Sequence, residues 1–166
     1  MPVFAGRHSA SLDGDFVVFL IGMRINRPWK VRNTLFVLRA MGPMLAELED
    51  NPQSGFLGAE RGFMFGGPAI VQYWRSFDDL ERYARAADAE HLPAWRRFNQ
   101  LVRDSGDVGI WHETYKVRAG DYEAIYGNMP RVGLGAAGEH RPLGSTSTAA
   151  QRVGERPDDR APVQSY

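Results

Sequence analysis

Four histidines, His8, His91, His112 and His140, are the imidazoles of this 166-residue chain. They are its side chains for metal ligation and for proton transfer near neutral pH. His8 and His140 lie in polar end segments, where a surface position is expected. His91 stands in Ala89-Glu90-His91-Leu92-Pro93-Ala94-Trp95, at the start of an expected helix. There it serves as a helix cap bonded to backbone, or as a base or axial ligand to haem iron facing a cavity. His112 lies between Trp111 and Glu113 in an expected strand, and alternation sends His112 and Glu113 to opposite faces, so they form no adjacent dyad. Arg24 and Asn26, at the end of the first apolar run, are either polar groups at a cavity mouth or solvated strand-end residues.

Other chemistry is excluded more firmly. The chain has no cysteine, which removes disulfides, thiolate catalysis, iron–sulfur clusters and cysteine-based zinc sites. His112-Glu113-Thr114-Tyr115-Lys116 fails the H-E-x-x-H pattern at its last position, and no G-x-S-x-G, P-loop or kinase signature occurs. Gly133-Leu134-Gly135-Ala136-Ala137-Gly138 spells G-x-G-x-x-G, but a Pro-rich tail follows it instead of a βαβ helix, so a flexible glycine loop is expected. Twenty Lys+Arg balance twenty Asp+Glu, and a neutral chain lacks the basic field of a general nucleic-acid binder.

The elements that must position these residues follow from apolar spacing. Phe16 to Ile25 is apolar at odd and even positions alike, which marks a strand buried on both faces. Leu35, Leu38, Met41, Leu45 and Leu48 recur at helical steps, giving a helix over about Trp29 to Glu49 with a kink at Gly42-Pro43. Gly55–Phe65 and Ala69–Trp74 flank a glycine turn as a hairpin. Ser76 and Asp79 form a capping box for the next helix, and a further helix runs from Leu92-Pro93 through Val102. Val108–Val117 is the last strand. The order is βαββαβ, the ferredoxin-like α+β pattern, with both helices on one face of a four-stranded sheet. The other face needs a cover: a second copy closing a dimeric α/β barrel, or the C-terminal segment folded over it. Residues 1–15 read as an N-terminal arm, 16–140 as the domain and 141–166 as a mobile polar tail.

The blocks Phe16 to Asn26, Tyr73 to Glu81, His91 to Trp95, Gly109 to Tyr115 and Tyr122 to Pro130 together resemble a bacterial monooxygenase-like family, some of whose members are labelled phenylacetaldoxime dehydratase-like. The resemblance implies the dimeric α/β-barrel superfamily, which holds cofactor-independent monooxygenases, haem-degrading enzymes and haem-containing aldoxime dehydratases. It implies an apolar cavity between sheet and helices for a small apolar or aromatic substrate. If haem binds, His91 is the proximal ligand, Trp95 and Trp111 flank the cofactor, and Arg24, Asn26 and His112 orient or protonate a distal ligand. Otherwise His91 or His112 is the base of a cofactor-independent reaction. A non-catalytic dimeric binding protein is the third alternative.

The expected setting is the cytoplasm, as a homodimer without membrane or nucleic-acid partners. The start lacks a long apolar leader segment, and the run Phe16 to Met23 is less than half of the roughly 20 residues a spanning helix needs.

Overall fold

The structure, a computed structural model, describes residues 1–31, 35, 39, 45–86, 96, 105–143 and 148–153. Four strands, β2 (Phe16–Ile25), β3 (Phe56–Met64), β4 (Gly67–Trp74) and β5 (Val108–Val117), form an antiparallel sheet in the order β3-β4-β2-β5. That order places the apolar strand β2 in the interior, paired with β4 on one side and β5 along its whole length on the other. It is the ferredoxin-like arrangement, so the α+β fold expected from the element order is the fold found.

One face of this sheet meets helices. Val17 and Trp74 are buried against Leu48, which lies in helical residues 45–49, and against Leu80, with Phe19, Phe56, Phe77 and Tyr83 around them. Val31, Leu35 and Arg39 also have helical backbone, but the helix begins after Trp29 and Lys30, and Leu35, expected on its apolar face, is exposed while Leu45 and Leu48 are buried; the Gly42-Pro43 kink lies outside the described residues. The helix Phe77–Arg85 begins as its sequence requires: the Ser76 hydroxyl accepts from the Asp79 amide at 3.1 Å and donates to the Asp79 carboxylate at 2.8 Å. Arg75 reaches the same carboxylate at 3.0 Å, and Arg82 also bonds it. Hydrogen bonds from Arg75 first, then from Ser76 and Arg82, hold the Asp79 pKa down at about 2, against the opposing effect of burial.

The opposite face carries a second layer that the sequence pattern did not show. Strand β1 (Phe4–Ser11) is flanked by β6 (Ile125–Met129) and β7 (Glu139–Pro142) in a three-stranded sheet of order β6-β1-β7. The segment read as an arm is therefore the central strand of a sheet, and the expected tail boundary at 141 falls inside β7. Ala10 of β1 and Leu134 pack on Phe16, with Val18, Tyr73 and Val117 of the large sheet around them. The tail also contains a short helix, Ala149–Val153, whose Arg152 pairs with Glu123 at 2.7 Å. Residues 154–166 lie outside the described residues.

Gly22 shows how tightly the uncovered part of this face is built. A Cβ added there meets the Trp111 indole at 2.7 Å, so the ring of β5 lies across the backbone of β2. Gly22→Ala is expected to destabilise the fold by about 1–3 kcal/mol through overpacking. In a Trp111→Ala background the same change is expected to cost less than half as much. Urea unfolding of the four-member cycle checks this coupling, and equal costs in both backgrounds would contradict it.

Candidate functional site

Strand alternation and the contacts above sort the candidate side chains onto two faces. His112 lies opposite Ile21 in the β2–β5 register and shares the helix-side face with Phe19, Thr114 and Ile110. Its ring centroid is 5.7 Å from that of Phe19, and Lys116, four pairs further along, sits 4.6 Å from the Phe77 ring centroid on the same side. His112 is thus an exposed imidazole at the border of an apolar wall made by Phe19 and Ile21.

Trp111 stands on the other face. Its indole N–H is buried without an acceptor among the described residues, and its ring meets Phe65 edge-on at 4.8 Å. Glu113 shares that face and accepts from the Tyr115 hydroxyl at 2.6 Å; that bond to a negative carboxylate raises the tyrosine pKa. Arg24 donates to Asn26 Oδ1 at 3.1 Å and to the Phe65 carbonyl at 2.9 Å, so the pair pins the β3–β4 hairpin to the end of β2. His112 is therefore separated by the sheet from Trp111 and Arg24. His91 and Trp95 lie outside the described residues.

Two polar constellations were not visible as such in the sequence. The first occupies the G-x-G-x-x-G segment, which forms a four-residue helix, Leu134–Ala137, instead of a flexible loop. Two backbone N–H groups there meet side-chain oxygens of two strands: Gly133 donates to Glu60 Oε1 of β3 at 2.7 Å and Gly135 donates to the Tyr126 hydroxyl of β6 at 3.2 Å, with the Tyr73 hydroxyl of β4 lying against Gly133. The amides that would hold a pyrophosphate in a dinucleotide site are thus used internally. Burial, with Tyr126 and Glu60 adding to it, pushes the Tyr73 pKa up, so its hydroxyl stays protonated at neutral pH.

The second is a pair of stacked imidazoles. His8 of β1 and His140 of β7 lie 4.7 Å apart and nearly parallel, with the Phe4 ring edge-on to both. Both were expected at the surface, yet both are half-buried, and His140 Nε2 has no partner among the described residues. The signal that could have found them is their pairing across antiparallel strands about 130 residues apart, which local pattern does not encode. Among the described residues no group of three or more His, Cys, Asp or Glu side chains is placed to hold a metal ion.

A cavity of about 380 Å³ opens between Ser9 and Ser11 of β1, Tyr122, and the Ala149–Val153 helix. Its charged lining consists of Arg141, Glu123 and Arg152, the last two paired with each other.

The fold and sites define a ferredoxin-like α+β domain extended by a small second sheet. Comparison with known proteins makes the class specific: the chain belongs to the monooxygenase af470-like family, whose profile matches residues 16–134. It is 30% identical over 132 residues to monooxygenase af470 of Aspergillus fumigatus, a match that covers 74% of this chain and 46% of that protein. The chain therefore spans about half the length of this curated relative. Among solved structures it is similar to a dimeric protein of unknown function and ferredoxin-like fold from Bacteroides fragilis (16% identity, TM-score 0.44, 61% of this chain and 95% of the other). It is also similar to the ActVA-Orf6 monooxygenase of Streptomyces coelicolor, solved with nanaomycin D (22% identity, TM-score 0.37, 61% and 88%).

Burial first, then the positive charges of a protonated His8 and of Arg131, lower the His140 pKa below its ordinary 6.5. The unfolded chain therefore binds this proton at higher pH than the folded one, so the stabilisation is complete above about 6.5 and is lost as pH falls through the folded value. Between pH 7.5 and 5 the wild type should lose thermal stability more steeply than His140→Phe, which keeps the ring but does not titrate. Parallel melting curves across that range would contradict this.

Proposed function

We propose that the chain is a monooxygenase-like enzyme that needs no metal or haem and acts on a small phenolic or otherwise apolar substrate held on the helix side of the four-stranded sheet. What supports this is membership of the monooxygenase af470-like family together with one geometric observation: His112 stands as an imidazole at the edge of the apolar wall of Phe19 and Ile21. An apolar wall binds the ring of such a substrate, and an imidazole at its edge is placed to take the hydroxyl proton.

The chemistry balances without an outside reductant. Removal of the phenolic proton leaves an electron-rich ring that gives its electrons to dioxygen. One oxygen atom enters the ring and the other leaves as water, so a phenol becomes a quinone with all four electrons drawn from the substrate. His112 returns its proton to the departing oxygen.

A haem-dependent reaction, oxygenation or aldoxime dehydration, is the alternative raised by the resemblance. Its proximal ligand His91 and Trp95 lie outside the described residues; of the described candidates, His112 is on the face opposite to Trp111 and Arg24. We also propose that the chain is a homodimer in which a second copy covers the part of the open face around Leu20, Val71 and Tyr115, because β1, β6 and β7 cover only the other part.

Chelator-treated protein should consume oxygen when supplied with phenols, naphthols or hydroquinones, with quinone as the product. His112→Ala should lower kcat about 100-fold, the lower end of the range for loss of a general base. Oxygen uptake across that panel only after haem addition, with a Soret band, would overturn the proposal; unchanged kcat in His112→Ala would remove the role of that residue.

A further inference from the structure

Between Asp15 and Glu47 the chain carries five basic residues, Arg24, Arg27, Lys30, Arg32 and Arg39, and no acidic one, although its charges balance overall. This run leaves the sheet at the end far from β1, β6 and β7. At that end the Ile25 amide donates to the Gly66 carbonyl of the β3–β4 turn at 3.2 Å, and the Asn26 and Arg27 amides both donate to the Asp107 carbonyl at 3.1 Å. The hairpin tip, the 26–30 turn and the first helical residues therefore share one rim.

That rim exposes large apolar side chains. Trp29 and Phe63 are each 71% exposed, Phe65 57%, Val31 55% and Leu35 44%. Val31, Leu35 and Arg39, spaced four apart, lie on one exposed helical face. Phe65 is held at φ 52 and Gly66 at φ 86, a turn conformation that Asn or Gly adopts easily and a bulky residue does not. The fold thus keeps an aromatic ring at a hairpin tip against its backbone preference; one edge of the ring packs on Trp111 at 4.8 Å, and the rest is open to a partner. Lys30 and Arg39 are exposed and make no salt bridge among the described residues, while Arg27 is paired with Asp107.

We propose that this rim is a contact surface for an anionic membrane, on which the domain lies without crossing the bilayer. Exposed Trp and Phe interleaved with Lys and Arg match the bilayer interface, where ring faces enter the acyl boundary and cations meet acidic headgroups. A protein partner fits less well, because lysine is depleted from the buried centres of protein interfaces. No described helix is long and apolar enough to span.

Sedimentation of the full chain with phosphatidylcholine vesicles containing phosphatidylserine tests this, with pure phosphatidylcholine vesicles alongside. The wild type should pellet with the acidic vesicles, less at high salt, and at least about tenfold less with neutral ones. The exposed-site variants Trp29→Ser with Phe63→Ser, and Lys30→Glu, should each lower partition about tenfold with unchanged far-ultraviolet circular dichroism. Absence of pelleting, equal pelleting with neutral vesicles, or variants that bind as the wild type does would each overturn the proposal. So would a rim variant that loses vesicle binding only by changing oligomeric state on gel filtration, which would assign the rim to contacts between copies.

Discussion

Strand β2 imposes the constraint that organises this molecule. Its residues are apolar on both faces, and such a strand is stable only if both are removed from water. Pairing with β4 and β5 satisfies its backbone, and helical residues around Leu48 and Leu80 cover Val17 and Phe19. The other face cannot be left bare. Ala10, Leu134 and Tyr122 close on Phe16 and Val18, and the Trp111 ring closes on Gly22.

The cover over Phe16 and Val18 is fixed by polar groups. Glu60 and Tyr126 come from strands of the two sheets and accept from the Gly133 and Gly135 amides. These two amides have acceptors, which helps a segment with few apolar residues to dock. The Tyr122 hydroxyl does the same for the chain between β1 and β2, accepting from the Leu12 amide at 2.8 Å and donating to its carbonyl at 3.1 Å. This layer occupies the face opposite to that of His112.

The large sheet was legible because its information is local. A run apolar at every position, a glycine turn between two strands, and Ser76 followed by Asp79 each specify structure within a few residues. The second sheet was not legible because its information is distant. The Gly6 amide bonds the Asn128 side chain, 122 residues away, and Phe4–Ser11 alone shows no clean alternation of buried and exposed residues. The glycine motif misled for a related reason: its meaning depends on which oxygens reach its amides, and those belong to β3 and β6. Of the candidate site, the separation of His112 from Glu113 followed from alternation, and the same rule puts Trp111 and His112 on opposite faces. The stacking of His8 on His140 required the β1–β7 register.

The central claim, that β1, β6 and β7 are docked on the ferredoxin-like sheet through the Gly133 and Gly135 amides, is tested most directly by residue-resolved hydrogen exchange at those two positions. The account predicts slow exchange at both in the wild type, with Glu60→Ala accelerating Gly133 most. Rapid exchange at these amides, at the rate of an unstructured glycine segment, would contradict it.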